Sequence, residues 1–317
     1  MTLEIRSLAK KYRLAKLNAT VHALNGIDLV LHKGKTLGIV GESGCGKSTL
    51  ARLVVGLEPA SEGEILWDGA AVKNLAKNPL HTSRSKIQLV FQDPYSSLNP
   101  RQRIGESISE VLRVHNLRSE EEIPARVDEL FTLVGLAPDL KHRYPHQLSG
   151  GQRQRISICR ALAAEPDLLI LDEPVSALDV SVRAEVMNLL IDLRDELGLT
   201  YIFISHDLAM IKYISDYIAV MYLGKVVESG TWHQVTNRPL HPYTKALLQA
   251  MPDHTTFGDP DSLRKTIVGE VPNPTNLPSG CAFHLRCPLA VPACSTTMQV
   301  LTQFDNGHSV ACSEVSQ

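Results

Sequence analysis

Four short runs in this chain are apolar at nearly every position: Thr36–Val40, Leu168–Leu171, Thr200–Ile204 and Tyr217–Met221. A strand with one wet face alternates apolar and polar residues. A continuous apolar run bounded by polar turns instead marks a strand buried on both faces, as in a parallel sheet covered by helices. Ile87–Phe91 reads as a further strand. Helical patterns separate these runs, so the first 230 residues predict an α/β fold with a largely parallel sheet. From about Ile104 to Arg143 the pattern is helical and charged on alternate faces, which predicts an inserted helical subdomain bounded at about 93–160. Beyond Thr231 the chain changes character. Half of its 18 prolines and four of its six cysteines lie there, the cysteines all within the last 37 residues, so 231–317 is expected to form a smaller C-terminal extension. No internal repeat or low-complexity tract interrupts this plan.

Composition narrows the function classes. The 317 residues carry a formal net charge of −2, so no basic field invites nucleic acid. No apolar run approaches the roughly 18 residues of a spanning helix. Met1–Arg6 lacks the basic and apolar regions of a signal peptide. The expectation is a soluble, cytoplasmic chain whose contact with a membrane runs through a protein partner.

Candidate chemistry gathers at the ends of the apolar runs. Gly41-Glu42-Ser43-Gly44-Cys45-Gly46-Lys47-Ser48-Thr49 follows one strand and opens a helix, the context that a phosphate-binding G-x-x-x-x-G-K-[ST] loop requires. Its glycines let backbone N–H groups wrap phosphates. Lys47 brings a point charge to the β and γ oxygens, and Ser48 offers a hydroxyl to Mg²⁺. Cys45 has no expected chemical role, but its alkylation is expected to block the loop. Asp172, after four buried aliphatics, is placed to hold Mg²⁺. Glu173, one residue on, can polarise an attacking water and take its proton. A merely solvated acidic turn is the plain alternative, and it is costly after such a run without a cation. His206 and Gln92 follow two further strands onto the same carboxyl edge, where doubly wound sheets bind ligands. His206 is expected to contact the γ-phosphate and hold Glu173 and water in line. Gln92 is expected to touch both Mg²⁺ and that water.

A second anion site stands at Leu148-Ser149-Gly150-Gly151-Gln152. A serine and two glycines at a helix start direct free N–H groups and the helix dipole at one point. One pocket needs one such loop, so the second is expected to serve a nucleotide held by another subunit.

Taken together, these stretches resemble the ABC-transporter ATPases: a Walker A loop at Gly41, a glutamine loop at Gln92, an LSGGQ signature at Leu148, a Walker B strand at Leu168–Asp172, a D-loop at Ser176-Ala177-Leu178-Asp179 and a switch histidine at His206, once each and in that family's order. The resemblance implies a P-loop NTPase with a RecA-type core, an antiparallel β subdomain and the inserted helical subdomain. It implies ATP and Mg²⁺ as ligands, and head-to-tail pairing in which Ser149, Gly150, Gly151 and Gln152 cap the partner's ATP. Tyr12 matches the family's adenine-stacking aromatic, with an ordinary strand tyrosine as the alternative.

Phe91-Gln92-Asp93-Pro94-Tyr95-Ser96-Ser97-Leu98-Asn99-Pro100-Arg101 and Arg238-Pro239-Leu240-His241-Pro242-Tyr243-Thr244 are similar to the dipeptide and oligopeptide importer branch, in particular to the second ATPase of a dipeptide permease. This resemblance implies a peripheral protein on the cytoplasmic face of the inner membrane. Its partners would be a paralogous ATPase subunit, two membrane permease subunits and an extracytoplasmic solute-binding protein. Relatives that import nickel chelates or glutathione leave the solute open. A soluble ABC-type ATPase acting on DNA or ribosomes is the alternative. It is disfavoured because only 125 positions separate Lys47 from Asp172, too few for a long coiled coil, and because a single cassette is present. Cys281, Cys287, Cys294 and Cys312 lack tight paired spacing. They resemble the iron–sulfur-bearing extension of some branch members, so a [4Fe-4S] cluster is expected there, with zinc or unligated buried thiols as alternatives.

Overall fold

In the computed structural model, which describes residues 2–14, 18–72, 85–250 and 269–315, the strands among those residues form two sheets. A four-stranded antiparallel sheet runs in the order β2 (Ala19–His32), β1 (Thr2–Leu14), β4 (Glu62–Trp67), β5 (Ala70–Ala71). The larger sheet has eight strands. Its parallel part is β9 (Tyr217–Tyr222), β3 (Thr36–Val40), β8 (Thr200–Ser205), β7 (Leu168–Asp172) and β6 (Ile87–Val90). Beyond β9, the strands β10 (Lys225–Thr231), β12 (His308–Val310) and β11 (Thr302–Asp305) continue it antiparallel.

Every residue of β3, β7 and β8 is buried, which is why their sequences are apolar throughout. Successive side chains still point to opposite faces. Leu168, Ile170, Ile202 and Ile204 pack into one core with the antiparallel sheet and helix Lys47–Val54. Leu169, Leu171, Tyr201 and Phe203 pack into another with the helical insertion. That insertion contains helices Ile104–Val114, Ile123–Leu133 and Gly150–Leu162, the last lying against β6. Its buried Ile108, Leu112 and Phe131 share a core with the sheet, so the insertion is not a separately cored body.

The expected boundary near residue 230 falls inside β10 and is no break in the sheet. β12 pairs with it, Glu228 opposite Val310, and so ties the C-terminal segment to the core. Glu228 is fully buried and is the anchor of this junction. Its carboxylate accepts N–H groups of Leu240 and His241, each at 2.8 Å, and lies 2.8 Å from His308 Nε2. Phe283 closes the junction, packing edge-on against Tyr222 and tilted against Tyr243 at centroid distances of 5.2 and 5.3 Å. Burial costs a carboxylate its hydration, so its partners matter more than the charge itself. Glu228→Ala should cost about 3–5 kcal/mol, the range for breaking a buried charged network. Denaturant unfolding at neutral pH checks this, and a parent-like midpoint contradicts the anchoring role.

Candidate active site

The loop Gly41–Thr49 leaves the carboxyl end of β3 and feeds helix Lys47–Val54. Gly46 sits at φ 108° with a Cβ position only 2.4 Å from Ala23 O, so no other residue fits there. Lys47 is buried and donates to the loop's own carbonyls, Gly41 O at 2.7 Å and Glu42 O at 3.0 Å. Asp172 keeps the register of Leu168 and Ile170, so it points to the face covered by helix Lys47–Val54. There Ser48 Oγ donates to it at 3.2 Å. Burial holds the Asp172 carboxyl above its ordinary range, and the neighbouring Glu173 charge adds to that, while the Ser48 hydrogen bond opposes it. A hydroxyl and a carboxylate that is costly to ionise unpaired are hard oxygen donors suited to Mg²⁺.

Glu173 breaks the strand. Its backbone turns to φ 47°, an uncommon conformation for a non-glycine residue, and its N–H donates to Ile204 O at 2.9 Å. The turn places its carboxylate between two groups: Gln92 Nε2 donates to Oε2 at 3.2 Å, and His206 Nδ1 lies 3.1 Å from the same oxygen. The side chain of His206 is 60% exposed and that of Glu173 16% exposed, so a sheltered base stands under a histidine open to solvent. Four strand ends thus meet in one cavity of about 600 Å³. Ser43, Gly44, Gly46, Lys47, Ser48 and Thr49 line it from the loop, Gln92, Glu173 and His206 from the other strand ends. Such an arrangement can cradle a polyphosphate and present a carboxylate to a water beside it. Tyr12 lines the far end, its hydroxyl donating to Glu58 Oε2 at 2.5 Å.

Ser149, Gly150, Gly151 and Gln152 do not line this cavity. Ser149 is the N-cap of helix Gly150–Leu162: it accepts the Gln152 N–H at 3.2 Å, while Gln152 Oε1 accepts the Ser149 N–H at 3.0 Å. Ser149 is exposed. The second anion site therefore faces outward, away from the chain's own pocket.

The C-terminal segment contributes groups that sequence spacing did not signal. Pro274 lines the cavity mouth, and its carbonyl accepts the His22 N–H at 3.0 Å. Tyr243 Oη accepts the Glu42 N–H at 2.9 Å, and Arg286 pairs with the Glu42 side chain. Cys281, Cys287, Cys294 and Cys312 converge on one small cavity as free thiols. The iron–sulfur expectation finds no support there. Among the described residues no group of three or more His, Cys, Asp or Glu side chains is arranged to hold a metal. No helix among the described residues is long and apolar enough to cross a membrane.

Residues 24–176 match the ABC transporter family, and residues 227–294 match the C-terminal region of oligopeptide/dipeptide transporters. The chain is 52% identical over 301 residues to the oligopeptide transport ATP-binding protein OppF of Escherichia coli (strain K12), covering 93% of this chain and 89% of the relative. It is 49% identical over 293 residues to the oligopeptide transport ATP-binding protein AppF of Bacillus subtilis (strain 168), covering 92% and 89%. Among solved structures, it resembles the ATP-binding cassette MJ0796 in a dimeric post-hydrolysis state with ADP and Pi. The TM-score is 0.64 at 28% identity, over 73% of this chain and 98% of that one. It also resembles cbiO1 from Clostridium perfringens, part of the ABC transporter complex cbiONQ, with TM-score 0.64 at 33% identity, over 74% and 90%.

Cys45 differs from its expectation in one respect. It is only 2% exposed and burial raises its pKa, so little thiolate is available at neutral pH. Alkylation of Cys45 should therefore be slow in the native protein and fast after denaturation, with Cys281, Cys287 and Cys312 labelled earlier. Peptide mapping by mass spectrometry checks this order. Rapid native labelling of Cys45 contradicts the burial.

Proposed function

The chain belongs to the ABC transporter family, in its oligopeptide and dipeptide importer branch, and from that premise we propose how its residues divide the work of ATP hydrolysis. It is the ATP-hydrolysing, energy-coupling subunit of an importer. The relatives are oligopeptide transport proteins, so oligopeptides stand ahead of dipeptides as the imported solute. Nothing favours nucleic acid or ribosomes over this reading. The protein works at the membrane through two permease subunits, on the cytoplasmic face, with a solute-binding protein delivering peptide.

One observation carries the assignment of roles: Gln92 and His206 converge on a single oxygen of Glu173, beside a loop that buries Lys47. Glu173 is the general base, and His206 and Gln92 fix its direction and that of the attacking water. Lys47 leaves the Gly41 and Glu42 carbonyls to meet the β and γ oxygens, and the backbone N–H groups of Ser43 to Thr49 receive the remaining phosphate charge. Ser48 and Asp172 would hold Mg²⁺, which when bound would neutralise charge at the phosphates. Tyr12 stacks on the adenine. Little covalent chemistry is asked of the side chains, and positioning and charge dominate.

The signature residues Ser149, Gly150, Gly151 and Gln152 act on the ATP of a second cassette. What supports this is their place at a helix N-terminus outside the cavity lining, with Ser149 exposed and the other three half-buried, and the dimeric state of the structurally similar MJ0796 cassette. A paralogous ATPase fits best as that partner, and residues 1–230 and 231–317 are its cassette and extension counterparts in this chain.

Glu173→Gln should bind ATP as the parent does but hydrolyse it about 10²- to 10⁴-fold more slowly, the usual worth of a positioned general base. Lys47→Ala should lose tight ATP binding instead. Equilibrium ATP titration and phosphate release, measured on the complex with membrane subunits and peptide-loaded binding protein, separate the two. Near-normal turnover by Glu173→Gln in that complex would remove Glu173 from its role.

A further inference from the structure

The second residue of the phosphate loop is a carboxylate in a loop built to bind anions. Every other polar feature there attracts negative charge: the backbone N–H groups, Lys47 and the helix N-terminus. A free Glu42 charge a few ångströms from a triphosphate would repel it. The structure shows where that charge goes. Arg286, 244 positions away in sequence, grips Glu42 with both prongs: Nη1 donates to Oε2 at 2.7 Å and Nη2 to Oε1 at 3.0 Å. The Arg286 side chain is 5% exposed, in the setting where a two-pronged pair is screened least.

The grip is reinforced on three sides. Arg286 Nη1 also donates to Tyr222 Oη at 3.4 Å, and Tyr243 Oη accepts the Glu42 N–H. Phe283, three residues before Arg286, packs against both tyrosines, which also touch each other at a centroid distance of 4.8 Å. Glu42 is thereby turned out of the cavity, while Ser43 and Gly44 beside it line the wall. Glu42 O is at the same time a resting acceptor for Lys47 Nζ, so where Glu42 is held also sets where the lysine waits.

We propose that Arg286 is a positioning residue for ATP binding: reaching in from the C-terminal segment, it cancels the Glu42 charge and fixes the phosphate loop in its binding shape. The proposal rests on Gly41–Thr49 being the ATP site. It makes the C-terminal segment part of the nucleotide pocket's wall, where its family match alone would make it an appendage.

ATP titration of the full chain tests it, using Lys47→Ala, Arg286→Ala, Arg286→Met and the double variant Arg286→Ala/Glu42→Gln, each with a thermal melt. Arg286→Ala should weaken ATP binding roughly 5- to 100-fold, the span of coupling between linked sites. Arg286→Met, which keeps the apolar stem volume, should show the same loss even if the alanine variant fails to fold. Removing the orphaned charge in the double variant should recover most of the affinity, a rescue that simple loss of packing cannot produce. Parent-like ATP affinity in folded Arg286→Ala or Arg286→Met overturns the proposal, as does a double variant as weak as the single. If Lys47→Ala binds ATP like the parent, the ATP-site assignment itself falls and this proposal with it. Loss in Lys47→Ala with no loss in the Arg286 variants overturns the proposal alone.

Discussion

Parallel pairing of β3, β8, β7 and β6 in one register decides what the carboxyl edge of the sheet can hold. Val40 lies opposite Ser205, Ile204 opposite Asp172, and Leu171 opposite Val90. Four chain segments spread over more than 160 positions therefore leave the sheet at one level. Each strand end delivers a reactive group to that level: the phosphate loop, His206, Glu173 and Gln92. A slip by one residue would turn Asp172 to the other face and away from Ser48, because strand side chains alternate. The burial of every β7 and β8 residue is what forbids that slip. Core packing and active-site geometry are thus the same constraint, and at the end of β7 the backbone departs from the strand through the positive φ of Glu173.

Much of this was legible in the chain. The apolar runs became the central strands, and the loop, Glu173, Gln92 and His206 line one cavity, with Asp172 buried beside it against Ser48, because each signal is local: a strand, then a functional residue within two positions of its end. The signature was legible for the same reason, a serine and glycines at a helix start. Contacts between distant segments leave no such mark. Nothing in the spacing of Glu42 and Arg286 announces their pairing, and Arg286 sits in a stretch where prolines and cysteines form the stronger pattern. The joining of β12 to β10 was hidden too, since a three-residue strand has no periodicity to read. The same gap explains the cysteines. Their sequence proximity correctly implied spatial proximity, but ligand geometry depends on side-chain direction, which spacing does not encode.

Charge in the pocket gives the last constraint. Asp172, Glu173 and Glu42 bring three carboxylates to the neighbourhood of a single loop lysine. Arg286 removes one of them by pairing, and Asp172 is already held above its ordinary range by burial and by Glu173. A triphosphate entering this site adds several negative charges to a place whose only free cation among the described lining residues is Lys47. The loop's N–H groups offset part of that, but the charge balance favours two further contributors. One is a divalent cation at Ser48 and Asp172. The other is a helix N-terminus approaching from outside, and this chain presents one on its own surface, at Ser149, where its own nucleotide cannot use it. A site short of positive charge and a surplus anion-binding helix end are complementary halves, and the proposed head-to-tail pairing of two cassettes would satisfy both at once.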